Sequence, residues 1–428
     1  MHAPKPRQQA GCLQLGNQTG KPGAAEGGAG EDWLLVNGYL LLEFVGQGGL
    51  LRDDISSSIR TFILSPTNSQ DGVVVAGVEW QVLRVIASIQ FRRFKVLRSA
   101  SLQLEPFNLV IGPNGSGKTS LIQAILKLHA LAGLSLPEEV APARNPHGPE
   151  LVFHFTPPYA AVEARLSCVS ELVCDHLQVK RPKPADWETV KAQLASTRVY
   201  LFDHYAMAAV APRAAGDELA ANGANLAAVL AARRTRQPAA YAAWEAEALR
   251  LLPDYARIEL RDAPGDMVEL ALALREEGGA MIPADSLSQG TLYLLALLAL
   301  AYDPAPPSIL CIEEVDRGIH PRRLREVRDM LYRLSYPASF GLDRAPTQII
   351  ATTHSPYLLD QFRDHPEEIV IAQKSGRSAT FERLIDRPDL DELLREGSLG
   401  DMWFAGLLGG VPDEEIPAPP TKEGNHHP

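Results

Sequence analysis

Gly112-Pro113-Asn114-Gly115-Ser116-Gly117-Lys118-Thr119 satisfies the pattern GxxxxGK[ST]. An apolar run, Leu109-Val110-Ile111, leads into it, and Leu121, Ile122, Ile125 and Leu126 follow at helical spacing. Strand, glycine-rich loop and helix in that order form a phosphate cradle. The glycines let backbone N–H groups wrap an anion, and the helix N-terminus adds the positive end of its dipole. Lys118 supplies a point charge for the β- and γ-phosphates, and the Thr119 hydroxyl is expected to ligate Mg²⁺. Residues Gly112 to Thr119, with Ser120 in the first helical turn, are the candidates for binding ATP.

Three further stretches carry chemistry. Ser308-Ile309-Leu310-Cys311-Ile312-Glu313-Glu314 reads as a buried strand ending in two acids, expected beside the phosphate-loop strand. Glu313 is expected to hold Mg²⁺ directly or through water, and Glu314 to polarise the hydrolytic water. Thr347 to Ile350 and the pair Thr352-Thr353 form a β-branched strand ending on His354, followed by Ser355-Pro356. A histidine there can hydrogen-bond the γ-phosphate and sense its loss, whereas a lone histidine elsewhere is usually a satisfied polar residue. Leu287-Ser288-Gln289-Gly290-Thr291 opens an apolar helix over Leu292–Tyr302. Taken alone it is an N-cap; a Ser and a Gly at a helix start also offer donors to an anion.

These four elements, in this order, resemble the ABC-type ATPase heads of the structural-maintenance-of-chromosomes, RecF and OLD group, over roughly residues 85–410. Asn222-Gly223-Ala224-Asn225-Leu226, Asp316-Arg317-Gly318-Ile319-His320-Pro321 and Trp403 to Pro412 also look like this group. The resemblance implies two heads sandwiching two ATP molecules head to tail. Ser288, Gln289 and Gly290 of one subunit would then meet the γ-phosphate held by Lys118 of the other, and Asp316 and Arg317 would lie in the loop crossing the interface. An Asp is usual where this chain has Glu313, and the extra methylene suits a water-bridged metal contact. No metal-sensing glutamine stands out after the phosphate-loop helix. No heptad-patterned coiled coil lies between Lys118 and Ser288, so a chromosome-holding tether is not expected. No acidic nuclease-like cluster follows His354, so a nuclease would have to come from a separate polypeptide.

The composition fits this class. With 428 residues, 46% of them hydrophobic and 22% charged, the chain has the length for two or three domains. Its formal net charge of −11 excludes a polycation, so any DNA contact needs a local basic face. Candidates are Arg92-Arg93-Lys95-Arg98, Arg233-Arg234-Arg236 and Arg322-Arg323-Arg325-Arg328, the last equally readable as a solvated helix face with Glu326 and Asp329. Cys12, Cys168, Cys174 and Cys311 show no metal-binding spacing and read as reduced thiols. No apolar run spans a bilayer, so a cytoplasmic location without a membrane partner is expected.

The expected fold class is α/β: a mixed P-loop sheet flanked by helices, an inserted, mostly helical lobe, and a disordered N-terminal extension. Residues 1–84 are expected to be disordered or accessory, or partly to precede the native start. Residues 85–134 and 285–410 would form the ATPase lobe, 135–284 the inserted lobe and 411–428 a loose tail. Strand material is expected at Val85–Phe91, Phe94–Leu97 and Ser101–Leu104, an antiparallel sheet flanking the nucleotide base. Functionally, an ATP-gated clamp or switch in DNA repair or in defence against mobile DNA, with a partner effector, leads. A nucleotide-dependent regulator of a partner enzyme is its rival. A membrane-transporter ATPase subunit ranks last, because Leu287–Thr291 reads LSQGT and the insertion is long.

Overall fold

The computed structural model of the chain divides into two units, Met1–Trp80 and Gln81–Pro428. The described residues are 85–134, 145 and 147–409, with four short strands in the first unit. There β1 (Asp32–Val36) pairs antiparallel with β2 (Tyr39–Glu43), and β3 (Phe62–Ile63) with β4 (Ala76–Gly77). The remainder of the N-terminal extension, Cys12 and the tail expected from residue 411 lie outside the described residues.

In the second unit β5 (Ile86–Phe94) and β6 (Leu97–Gln103) make a hairpin. Of the stretch Phe94–Leu97, expected as strand, Phe94 and Leu97 pair at the strand ends and Lys95-Val96 are the turn of that hairpin. Arg93 and Lys95 sit at φ 53° and 54°, the left-handed conformation that reverses the chain. Then come β7 (Phe107–Ile111), α1 (Lys118–Ala132), β8 (Glu150–Phe155), β9 (Glu163–Cys168), β10 (Cys174–Lys180) and α2 (Pro184–Ala195). β11 (Thr197–Tyr200), α3 (His204–Ala208), β12 (Ala211–Pro212), α4 (Leu226–Arg236), α5 (Pro238–Leu251), β13 (Tyr255–Ala263), β14 (Met267–Leu274) and β15 (Met281–Pro283) follow. The last part holds α6 (Gln289–Ala301), β16 (Ile309–Ile312), α7 (Leu324–Ser335), β17 (Gln348–Thr353), α8 (Pro356–Leu359), β18 (Ile369–Ser375), β19 (Ser378–Arg383), α9 (Leu390–Glu396) and α10 (Leu399–Phe404).

The central sheet has the order β11-β16-β17-β7-β18-β19, parallel except for β19. Its strands are apolar on both faces because both faces are covered. Leu109, Ile111, Leu310 and Ile312 face one core with α4, α5, α6 and α7, while Val110, Ile309 and Cys311 face a second core with α1 and α2. The second core is closed by a five-stranded antiparallel sheet, β10-β9-β8-β5-β6. Helix α6 is buried from Thr291 to Ala301, which explains its unbroken apolar sequence.

The α/β class stands, with three corrections. The described part of 135–284 is not mostly helical: β8, β9 and β10 extend the β5–β6 sheet, β11 enters the central sheet, and β12 to β15 pair among themselves. The double-acid strand β16 is not beside β7, because β17 lies between them. Cys168 and Cys174 are joined by a disulfide, since the antiparallel register of β9 and β10 sets them directly opposite, so the reduced-thiol reading fails for that pair. Cys311 is free and buried, its thiol pushed up by burial. Among the described residues no helix is long and apolar enough to cross a membrane.

Candidate functional site

The site forms where β7, β16, β17 and β18 end together, the edge at which parallel α/β sheets present their loops. Its first wall is the loop from β7 to α1. Gly112 admits no side chain: a Cβ there would stand 2.5 Å from the Ala372 carbonyl oxygen. Gly117, at φ 96°, caps α1 without any side-chain hydrogen bond, and the first turn of α1 carries no acid. The leading N–H groups of α1 are therefore left for an anion. Asn114, Gly115 and Thr119 are exposed, while Ser116, Lys118 and Ser120 are buried. The Ser116 hydroxyl is buried without a hydrogen-bond partner.

Lys118 donates to the carbonyl oxygens of Gly112 (2.7 Å) and Pro113 (2.9 Å). Burial pulls its ammonium down to about 8, against the opposing pull of Glu314 and then Glu313. Those two carboxylates come from the end of β16, reaching past the intervening strand. Thr119 Oγ1 donates to Glu313 Oε2 at 2.9 Å, so the two residues expected at the metal already meet.

Glu314 adopts φ 50°, an unusual backbone state for a residue with a side chain and one found at functional turns. β17 holds it there: Glu314 N–H donates to Thr352 Oγ1 (3.0 Å), and Val315 N–H to the Thr352 carbonyl (3.0 Å). Arg317 lies 3.5 Å from the Glu314 carboxylate, both half-exposed. Next along β17, Thr353 Oγ1 donates to Asp316 Oδ1 at 2.7 Å and accepts from Ser355 N–H at 2.9 Å. Burial raises the Asp316 carboxyl above its ordinary range, with Thr353 opposing. His354, between these two anchors, is exposed, and burial of part of its ring followed by the charge of Lys118 lowers it below its ordinary value. It is therefore neutral near pH 7, able to donate one N–H.

The structure thus gathers Lys118, Thr119, Glu313, Glu314, Asp316 and His354. It does not bring Ser288 to them by hydrogen bonding: its Oγ accepts from Thr291 N–H (3.1 Å) and meets Thr291 Oγ1 (2.8 Å), capping α6. Gln289 and Gly290 pack against the loop after the acids instead. A Cβ on Gly290 would stand 2.5 Å from the Gly318 carbonyl oxygen, and one on Gly318 would stand 2.7 Å from Gln289 Cγ. Lys374 was not singled out from sequence, and Thr352 only as part of the strand leading to His354; Arg317, expected in a loop crossing an interface, lies beside Glu314. The tandem threonines at a strand end were the available sign for Thr352, because alternation turns one to each side.

Among the described residues no cluster of three or more His, Cys, Asp or Glu could hold a metal. One hydroxyl and one carboxylate are nevertheless a hard-oxygen set that suits Mg²⁺, which takes its remaining ligands from water and phosphate. Thr119 and Glu313 fit that role.

Residues 175–360 match the family model described as "AAA domain, putative AbiEii toxin, Type IV TA system", a span that starts after the phosphate loop. The chain is 28% identical over 106 residues to the OLD nuclease of Thermus scotoductus, across 22% of this chain and 20% of that protein. The aligned part thus spans only a fifth of that relative's length. Among solved structures, the SmcHead bound to the C-winged helix domain of ScpA is similar at TM-score 0.49 and 16% identity, covering 70% of this chain and 97% of that one. The Smc head domain with an extended coiled coil from Pyrococcus furiosus gives 0.45 and 15%, covering 73% and 100%. The phosphate loop, the paired acids and the strand-end histidine converge on one edge of the sheet, and the family match covers the acids and the histidine, so the chain is similar to ABC-type P-loop ATPases of the SMC/RecF/OLD group.

Proposed function

We propose that the chain binds ATP with Mg²⁺ and hydrolyses it to ADP and phosphate. Two copies close head to tail over two nucleotides, and the closure drives a partner that acts in DNA repair or in defence against mobile DNA. The carrying observation is the 2.9 Å contact between Thr119 and Glu313, which ties the phosphate loop to the double-acid strand across β17.

In this mechanism Lys118 exchanges its two loop carbonyls for phosphate oxygens, joined by the uncapped N–H groups of α1. Thr119 and Glu313 would hold Mg²⁺, which would supply charge to offset that of the phosphates. Glu314 accepts a proton from the attacking water, its backbone held by Thr352. Neutral His354 donates a hydrogen bond to the γ-phosphate. The water oxygen bonds to the γ-phosphorus as its bond to the β–γ bridging oxygen breaks, giving inorganic phosphate and ADP. Ser288 and Gly290, engaged away from their own loop, serve the nucleotide of the second copy.

The DNA role is supported by the similarity over 106 residues to the OLD nuclease. The basic sets favour it less. Arg233 is buried and donates to the Ala299 carbonyl (2.6 Å), Arg236 pairs with Asp217, Arg92 with Glu150 and Arg98 with Glu171. Exposed Arg322 and Arg325, flanking the start of α7, remain for DNA. This pairing favours, as a second reading, a nucleotide-dependent regulator of a partner enzyme without DNA contact.

A hydrolysis assay on wild type, Lys118→Ala and Glu314→Gln tests the core. Turnover should fall at least about a hundredfold in Glu314→Gln with ATP still bound. Wild-type turnover in that variant contradicts the role of Glu314. ATP-dependent retention of DNA by Glu314→Gln at low salt favours the DNA reading; no retention of any DNA form favours the regulator.

A further inference from the structure

Lys374 belongs to none of the sequence motifs, yet the fold delivers it to the phosphate loop. β18 runs parallel to β7 with Ile371 opposite Ile111, so its following residues pass alongside the loop. The fit is close enough that Gly112 has no room for a side chain against Ala372. Two residues on, the Lys374 ammonium stands 3.6 Å, and its Cδ 3.9 Å, from where a Cβ on Gly115 would lie. The end of this exposed side chain therefore reaches the loop. Pairing of Lys374 with Ala379 in β19 fixes the strand beneath it.

Charge gives this position a purpose. Around Lys118 the chain sets two carboxylates, Glu313 and Glu314, and Arg317 already pairs with the second of them. A triphosphate carries more negative charge than Lys118 and one divalent cation neutralise, so a further cation at the loop favours its binding. The open rim, at exposed Asn114 and Gly115, is where Lys374 stands. Among the described residues it has no ion-pair partner.

We infer that Lys374 is a second phosphate-binding cation, contacting the nucleoside triphosphate from the rim of the loop while Lys118 contacts it from the floor. The inference rests on the nucleotide-binding reading of Gly112–Thr119. Lys374 tunes affinity and leaves the chemistry to Glu314, so its loss should appear in KM and not in kcat.

Equilibrium binding of a fluorescent ATP analogue and steady-state hydrolysis by the full chain test it, using wild type, Lys374→Ala, Lys374→Arg and Lys118→Ala. Lys374→Ala should raise Kd and KM about tenfold, as for loss of one charge-assisted hydrogen bond. Its kcat should stay within about twofold, and the effect should shrink at high salt. Lys374→Arg should restore most of the affinity. If Lys374→Ala binds as wild type while Lys118→Ala does not bind, Lys374 is a solvated lysine and the loop reading stands. Equal weakening by Ala and Arg also overturns the role of its charge. If wild type itself fails to bind ATP, the loop reading falls and takes this inference with it.

Discussion

Burial of the Lys118 ammonium opposes folding and favours the ligand. Its pKa sits near 8, below the ordinary 10.5, so the charged form is the strained one in the folded chain. Below about pH 8 the folded state carries that penalty. Between about 8 and 10.5 the unfolded chain still holds the proton and the folded chain has released it, so stability rises with pH across that window. Replacing the charge should therefore stabilise the protein at the expense of its activity. Lys118→Met should gain on the order of 1–3 kcal/mol at pH 7 and lose ATP binding. Its advantage over wild type should close as pH approaches 10. Paired urea titrations at pH 7 and pH 9.5 measure both values; a variant less stable than wild type at pH 7 contradicts this account of the lysine.

At the scale of elements, the order of the central sheet decides what the site can do. β17 stands between the phosphate-loop strand and the double-acid strand, and its C-terminal residues serve both neighbours. Thr352 braces Glu314 and Thr353 braces Asp316, so a strand expected only to carry His354 also positions the acids. The other end of β17 holds the antiparallel sheet. The buried Gln348 amide accepts from Val85 N–H (3.1 Å) and Ile86 N–H (2.9 Å), and donates to the carbonyls of Ile86 (2.8 Å) and Glu105 (3.2 Å). Gln348→Ala would leave buried backbone groups unpaired, costing about 2–4 kcal/mol. It should lower the urea midpoint while leaving KM for ATP within about twofold. A loss below about 0.5 kcal/mol would show that the β5 edge is held by packing alone.

At the scale of the molecule, two cores share one sheet, and the site sits where the strand ends open between them. The phosphate loop was legible because its chemistry is local: strand, glycines, lysine and helix are contiguous from Leu109 to Leu126. Glu313, Glu314 and His354 were legible as strand-end residues, each placed by a short apolar run. The order of those strands was not, since nothing in Ile309–Ile312 or Gln348–Thr353 says which lies beside β7. The Ala-rich middle misled for a related reason. Runs such as Glu163–Cys168 and Cys174–Lys180 become strands by pairing with β8 and with each other, a long-range outcome that composition does not encode. Lys374 was hidden in the same way, since only the β7–β18 register brings it to Gly115.

The central claim is that this cradle is half of a site and needs Ser288 and Gly290 of a second copy. It is tested most directly by the solution mass of Glu314→Gln, from light scattering after size exclusion, with and without ATP and Mg²⁺. The account predicts the mass of one chain without nucleotide and of two chains with ATP, returning to one when Gly290→Ala is added, because the new methyl displaces the Gly318 loop. A single-chain mass at saturating ATP, in protein shown to have bound it, would contradict the claim.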